Sequence, residues 1–230
     1  ATEGVDASLD ELEAVGRADL KRNQAALKAE CAGYAPGKSL GACMDKMNSK
    51  KSDKGPVAEA REQLPMLRQF ILDHDIVSIP GTEQAQVEES PPYNRQNSAY
   101  IDIPGPYEKG LPSVYYISPP DPSWDAKTRD AYVPGSKDLL FTSTHEVWPG
   151  HFLNFLHANR SKSIFGRVFV GYAFAEGWAH YTEEMMMDAG LGDATGSPAE
   201  AAEMKVGQLS NALLRNCRYL SAIGLHARGM

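Results

Sequence analysis

Residues 143–157 read STHEVWPGHFLNFLH, and how this stretch folds decides what must surround it. It opens like H-E-x-x-H, a pattern in which two imidazoles on one helix face hold zinc while the glutamate between them serves as base. Here Pro149 takes the place of the second histidine, and His151 arrives two residues late. On a regular helix positions i and i+4 differ by about 40°, but positions i and i+6 by about 240°, so His145 and His151 would face apart. Pro149 works against a regular helix, because it has no N–H for the carbonyl of His145 and its ring collides with that carbonyl. Gly150 tolerates backbone angles outside the helix. With Pro149 and Gly150 set aside, the remainder reads H-E-V-W-H. The stretch therefore predicts a helix from about Ser136 to Ala158 with a two-residue bulge that swings His151 back towards His145. The plain alternative is an H-E dipeptide in a kinked helix without a metal.

A second stretch, residues 172–184, reads YAFAEGWAHYTEE. Glu176, His180, Glu183 and Glu184 recur at helical spacing on one stripe. Phe174, Trp178, Tyr181 and Met185 make the surroundings apolar, where ionisable groups are costly unless paired or bound to a metal. A solvated acidic face accounts for Glu184 and Asp188 but less well for Glu176. Gly177 weakens a helix, and the expected reason for it is close approach of another helix.

The rest of the chain bounds the class. At 230 residues it suits one or two domains and can bury a sizeable core. Its 42% hydrophobic and 23% charged content is that of a soluble globular protein, and no apolar run reaches the roughly 18 residues of a membrane span. A net charge of −7 gives nucleic acid no electrostatic footing. The chain opens ATEGVDASLDE, without an initiator Met or a targeting segment, and closes in GLHARGM within a helical pattern; both ends are those expected of a processed piece. Three cysteines are too few for a disulfide scaffold. Cys31 and Cys43 flank AGYAPGKSLGA and either close one bridge over a Gly/Pro turn or stay reduced, while Cys217 is expected to be a buried thiol.

Helical spacing predicts one helix over residues 8 to about 32 behind Ser8, and a second in GPVAEAREQLPMLRQFILDHD, bent or restarted at Pro65. AQVEE, AYIDI and SVYYIS read as short strands. Two more helices are predicted, from about Ser163 to Ala189 and from Ser197 onward, with Pro198 in the first turn and Gly190 at the preceding helix end. No internal repeat or low-complexity tract is present. The expected fold class is mainly α with a small β-sheet (α+β).

EGWAHYTE resembles the N-E-G-F-A-x-Y-x-E pattern of gluzincin aminopeptidases, whose first glutamate is the third zinc ligand. THEVWPGHFLN, FAEGWAHYTEE and the closing RNCRYLSAIGLHARGM together resemble the DUF885 family, bacterial proteins often secreted or lipid-anchored. LRQFILDHDIVSIPG and VYYISPPDP resemble that family as well. The likeness covers roughly residues 55–230. It implies a helical, zincin-like metallopeptidase domain there; residues 1–54, outside the likeness, form an N-terminal helical segment in which the Cys31–Cys43 pairing stays open. Family chains are longer at both ends, so a fragment is expected. This chain departs from the family pattern at Phe152, where many relatives have histidine, at Asn154, commonly glutamine, and at His180, usually apolar. No ligand role is therefore carried to His180.

The resemblance implies that His145, His151 and Glu176 hold one Zn²⁺, leaving a fourth position for water, as hydrolytic sites require. Glu146 would be the general base. Glu183, two turns beyond Glu176, would accept a hydrogen bond from a ligand imidazole or be a surface carboxylate. His226 is either an ordinary core or surface histidine or a donor to the oxyanion. Arg218, and less plausibly Arg215, would bind a substrate carboxylate. Tyr115 and Tyr116, in the run Val114–Ile117, belong either to an edge strand that receives an extended peptide or to a core strand. His74 and His157 fit no chemical pattern and read as structural. The function expected is zinc-dependent cleavage of peptide substrates by an exported bacterial enzyme. Its rivals are a metal-dependent hydrolase of non-peptide amides or esters, and a non-catalytic helix-rich envelope or binding protein with a vestigial metal site.

Overall fold

The computed structural model describes residues 3–230. In chain order the elements are α1 (Leu9–Tyr34), α2 (Leu40–Asn48), α3 (Pro56–Asp73), β1 (Ala85–Glu89), β2 (Ala99–Asp102), β3 (Ser113–Ile117), α4 (Ala126–Tyr132), α5 (Ser136–Glu146), α6 (His151–Ala158), α7 (Ile164–Val168), α8 (Tyr172–Asp188) and α9 (Pro198–Ala227). A 3-10 turn at Asp193–Thr195 precedes α9. The fold is mainly α with a small sheet, as the periodicity predicts. The described residues fall into two compact units, one comprising residues up to Ser49 together with Gly190–Met230, the other Lys50–Ala189.

In the first unit α1 starts where its sequence signals place it. Ser8 Oγ accepts from Glu11 N at 3.3 Å and Glu11 Oε2 accepts from Ser8 N at 2.8 Å, a reciprocal cap that satisfies two otherwise orphaned donors. α1 packs along α9 so closely that a Cβ on Gly16 would stand 2.6 Å from the Tyr219 ring. Asn23 donates to Asn216 Oδ1 at 2.9 Å across this seam. The segment between Cys31 and Cys43 is less of a turn than expected. Ser39 caps a helix, α2, and the turn shrinks to the residues around Gly37 at φ +73°. Cys31 and Cys43 are bridged, with Cα atoms 5.9 Å apart, and both sulfurs sit in a core with Leu27, Met47, Val206 and Leu209. Cys217 is exposed, contrary to expectation, because α9 presents that turn outward.

The second unit is built on a sheet of order β1-β3-β2. β1 runs parallel to β3, with Val87 opposite Tyr115, and β2 antiparallel, with Tyr100 opposite Tyr116. β3 is thus the central strand, and the edge-strand reading of Val114–Ile117 fails because both of its flanks are already hydrogen-bonded. Val114, Tyr115 and Ile117 are buried. α3 runs through Pro65 without interruption and is tied to β1 by Arg61, whose Nη2 donates to Val87 O at 2.6 Å. α3 also packs on α5. Leu64, Leu67, Ile71, Leu139, Phe141 and Phe152 fill the interior; each such side chain contributes about 1.5–3 kcal/mol by leaving water. His74 and His157 take structural partners, Phe70 O at 3.0 Å and Ser78 O at 2.9 Å.

Two predicted helices are each divided. The one expected over 136–158 breaks between Glu146 and His151, and the one expected over 163–189 breaks at Phe169–Gly171, where the backbone is extended. Around that second break Phe165, Phe169, Tyr172 and Phe174 are exposed. No helix among the described residues is long and apolar enough to cross a membrane.

Candidate metal centre

α5 ends in His145 and Glu146, and α6 begins at His151. Between them the chain inserts two residues into the helical ladder. Val147 N and Trp148 N both donate to Ser143 O, at 2.9 and 3.3 Å, and Gly150 N then donates to Thr144 O at 3.0 Å. That last bond closes over six residues where a helix would use four, and Asn154 N to Gly150 O at 3.0 Å resumes the regular pattern. The Trp148–Pro149 peptide is cis. Gly150 lies against the carbonyls of Thr144 and His145 so closely that any Cβ would overlap them. The outcome for the side chains is that the His145 and His151 rings meet edge to face, centroids 4.8 Å apart.

Glu176 on α8 completes the group. Its Oε2 stands 3.6 Å from His145 Nε2 and its Oε1 3.7 Å from His151 Nε2. One donor atom from each of the three residues lies within 4.8 Å of the others. Ligands held about 2.0–2.1 Å from a tetrahedral zinc stand about 3.4 Å apart, so the cluster is slightly wider than such a site. Two imidazoles and one carboxylate are a donor set that suits zinc, and the residues fit the ion that the motifs imply. The two histidines are largely buried while the Glu176 side chain is 61% exposed, which leaves one side of the cluster open.

The surroundings hold these groups in place. Trp178 Nε1 donates to Pro149 O at 2.9 Å and so latches α8 onto the break between α5 and α6. Glu183, fully buried, stands 2.9 Å from His145 Nδ1 through Oε1, which leaves Nε2 to face Glu176. The surface alternative for Glu183 is thereby excluded. His180 Nδ1 lies 3.6 Å from the same Glu183 oxygen and takes no place in the cluster. Glu146 is buried beside His145. Gly177 is not at a close helix contact, since a Cβ there would meet nothing within 4 Å, and Glu176 is exposed rather than enclosed by aromatics.

Two expected site residues belong to β3. Tyr115 is fully buried, so its side chain cannot meet a substrate at the surface, and Tyr116 pairs its ring with Tyr100 at 5.1 Å. His226 and Arg218 are exposed on α9 in the first unit, where Arg215 Nη1 donates to Asn211 Oδ1 at 2.8 Å. Trp178 is the site residue whose role the sequence left unmarked, whereas Gly150 was read there as part of the bulge. The Trp178 signal was its position two residues after Glu176, and the Gly150 signal was its adjacency to Pro149.

Fold and site together define a mainly helical protein with a two-histidine, one-glutamate group suited to a metal. The chain belongs to the DUF885 family, bacterial proteins of unknown function, which it matches over residues 1–230. The match therefore includes the N-terminal helices, beyond the roughly 55–230 that the motifs suggest. A solved structure from Shewanella oneidensis, described as a candidate lipoprotein of unknown function, is 25% identical with a TM-score of 0.80, over 98% of this chain and 41% of that one. Another, described as a candidate lipoprotein from Colwellia psychrerythraea, is 18% identical with a TM-score of 0.76, over 99% of this chain and 38% of that one, a likeness of fold alone. The chain thus spans about two fifths of the length of these solved relatives. No curated protein matches it.

Proposed function

We propose that the protein is a zinc-dependent hydrolase that cleaves peptide bonds at the His145–His151–Glu176 group. The observation that carries this reading is the convergence of those three donors within 4.8 Å, with the Glu146 carboxylate next in sequence to the first of them. When bound, zinc would act as a Lewis acid, polarising the scissile carbonyl and lowering the pKa of water. The residues of the chain divide the remaining work. His145 and His151 present imidazole nitrogens, and Glu183 orients the first of these. Glu176 supplies the carboxylate from the exposed side. Glu146 accepts a proton from the attacking water and passes it to the leaving amine. An exported or lipid-anchored setting is part of the reading, and the description of the two solved relatives as candidate lipoproteins supports it.

Elemental analysis of the purified protein is expected to find near-stoichiometric zinc, and a panel of peptides and esters is expected to show cleavage of the peptides. Glu146→Gln should abolish turnover and keep the zinc. Retained activity in that variant removes Glu146 as base. Ester cleavage alone would favour a non-peptide hydrolase, and absence of zinc after supplementation a non-catalytic protein.

A further inference from the structure

α8 carries one stripe of ionisable groups past the cluster, and the proposed chemistry uses only two of them. Glu176, His180 and Glu183 recur at i, i+4 and i+7, one face of the helix, and their side chains pass from 61% exposed through 31% to fully buried. His145 meets both ends of this stripe, Glu176 Oε2 through Nε2 at 3.6 Å and Glu183 Oε1 through Nδ1 at 2.9 Å. His180 comes between the two carboxylates in the stripe and has no assigned task. Its Nδ1 is buried, has no hydrogen-bond partner among the described residues, and stands 3.6 Å from the same Glu183 oxygen. A buried ring nitrogen without a hydrogen bond is uncommon in folded proteins and calls for a reason. Glu183 supplies one. A carboxylate withdrawn from water is costly unless donors surround it, and each of its oxygens has lone pairs enough to accept from two imidazoles.

We propose that His180 is a positioning residue for Glu183, its Nδ1–H donating to the oxygen that also accepts from His145, so that the carboxylate is held from two sides and His145 Nε2 keeps its aim. The inference rests on the reading of His145, His151 and Glu176 as the zinc site. Helix geometry favours the role: His180 and Glu183 are neighbours at i,i+3 on one element, so their contact does not depend on how α5 and α8 pack. A glutamate side chain has three rotatable torsions, and a donor on another helix fixes the direction of one oxygen only. A second donor rooted on α8 removes freedom that the first leaves. The role is not that of a ligand, in keeping with the absence of His180 from the three converging donors.

The test compares two substitutions at this partly exposed side chain, where neither should unfold the protein. His180→Asn keeps an N–H where the imidazole Nδ1 stands, and His180→Leu keeps bulk without a donor. In competition with a zinc chelator, His180→Leu should weaken zinc binding about 3–10-fold, less than the about 10–100-fold of a group that touches a ligand directly, while His180→Asn should stay within about twofold of wild type. Unchanged affinity in the leucine variant overturns the proposal, and so does equal weakening in both variants, which would mark a merely structural role. The second measurement is the Cδ resonance of Glu183 in zinc-free protein labelled with 13C-glutamate. Both variants lose the same ring, so a separation between their Glu183 resonances reports the donor, and coincident resonances overturn the contact whether or not zinc binds. Should the wild-type protein bind no zinc, the metal reading fails, and the resonance still decides whether His180 holds Glu183. Should it bind zinc and cleave no peptide, the proposed function fails, and the affinities still decide the role of His180.

Discussion

Gly150 shows how little freedom the site leaves at the scale of one residue. Its backbone N–H closes the six-residue loop to Thr144 O, and a methyl group there would enter the carbonyls of Thr144 and His145. Gly150→Ala should therefore cost about 2–4 kcal/mol in chemical denaturation, within the range of substitutions that overlap backbone, and should reduce the zinc bound per chain. Glu183 is the complementary case, a buried carboxylate whose visible partner is an imidazole of the cluster. Glu183→Gln should weaken zinc binding about 10–100-fold in a competition with a chelator, with the fold retained. Much of this was legible in the sequence, since His145, His151 and Glu176 could be chosen from motif and resemblance. Gly177 and Cys217 were misjudged for one reason: helical periodicity places a residue on a face, but which face meets another helix depends on packing partners that the local sequence does not name.

At the scale of elements, the decisive feature is a helix divided into α5 and α6 and clamped by α8. Trp178 makes the clamp, and Trp178→Phe removes its donor to Pro149 O. The expected result is a loss of about 1 kcal/mol in stability and weaker zinc retention on dialysis, because Glu176 lies on the same helix. The connection after α6 gives a pH-dependent counterpart. Arg160 pairs with Glu83, and this hydrogen bond is the largest cause drawing the Glu83 carboxyl below its ordinary value. A lowered folded-state pKa contributes stability that is present above the unfolded-state value and disappears as pH falls through the folded one. Arg160→Ala should thus flatten the acid limb of a plot of melting temperature against pH, modestly, since both partners are substantially exposed. The sequence announced an irregularity at Pro149 and Gly150, but as a bulge within one helix and not as the division into α5 and α6. It did not announce β3 as central, because strand order follows from which edges pair across the sheet and not from the run SVYYIS.

At the scale of the whole molecule, the described chain resolves into two units, and a single covalent link stiffens the first. The Cys31–Cys43 bridge joins the last turn of α1 to α2 across a separation of 12 residues. Closing a loop of that size removes disorder from the unfolded chain worth about 3 kcal/mol, so reduction should lower the denaturation midpoint of the unit by a corresponding amount. α9 belongs with α1 and α2, not with the helices that precede it, and the ends of the chain therefore share one core.

The sequence by itself determined the fold class, the start of α1 behind Ser8, the family, and the triad worth testing, because periodicity, capping chemistry and motif spacing are local properties. Only the tertiary structure decided that the six-residue gap between His145 and His151 closes on Glu176, that Glu183 stands behind the first imidazole, and that Tyr115 is buried on the central strand. Those outcomes depend on groups distant in sequence arriving at one place, and contact of that kind is fixed by how α5, α8 and the sheet pack rather than by any neighbouring residue.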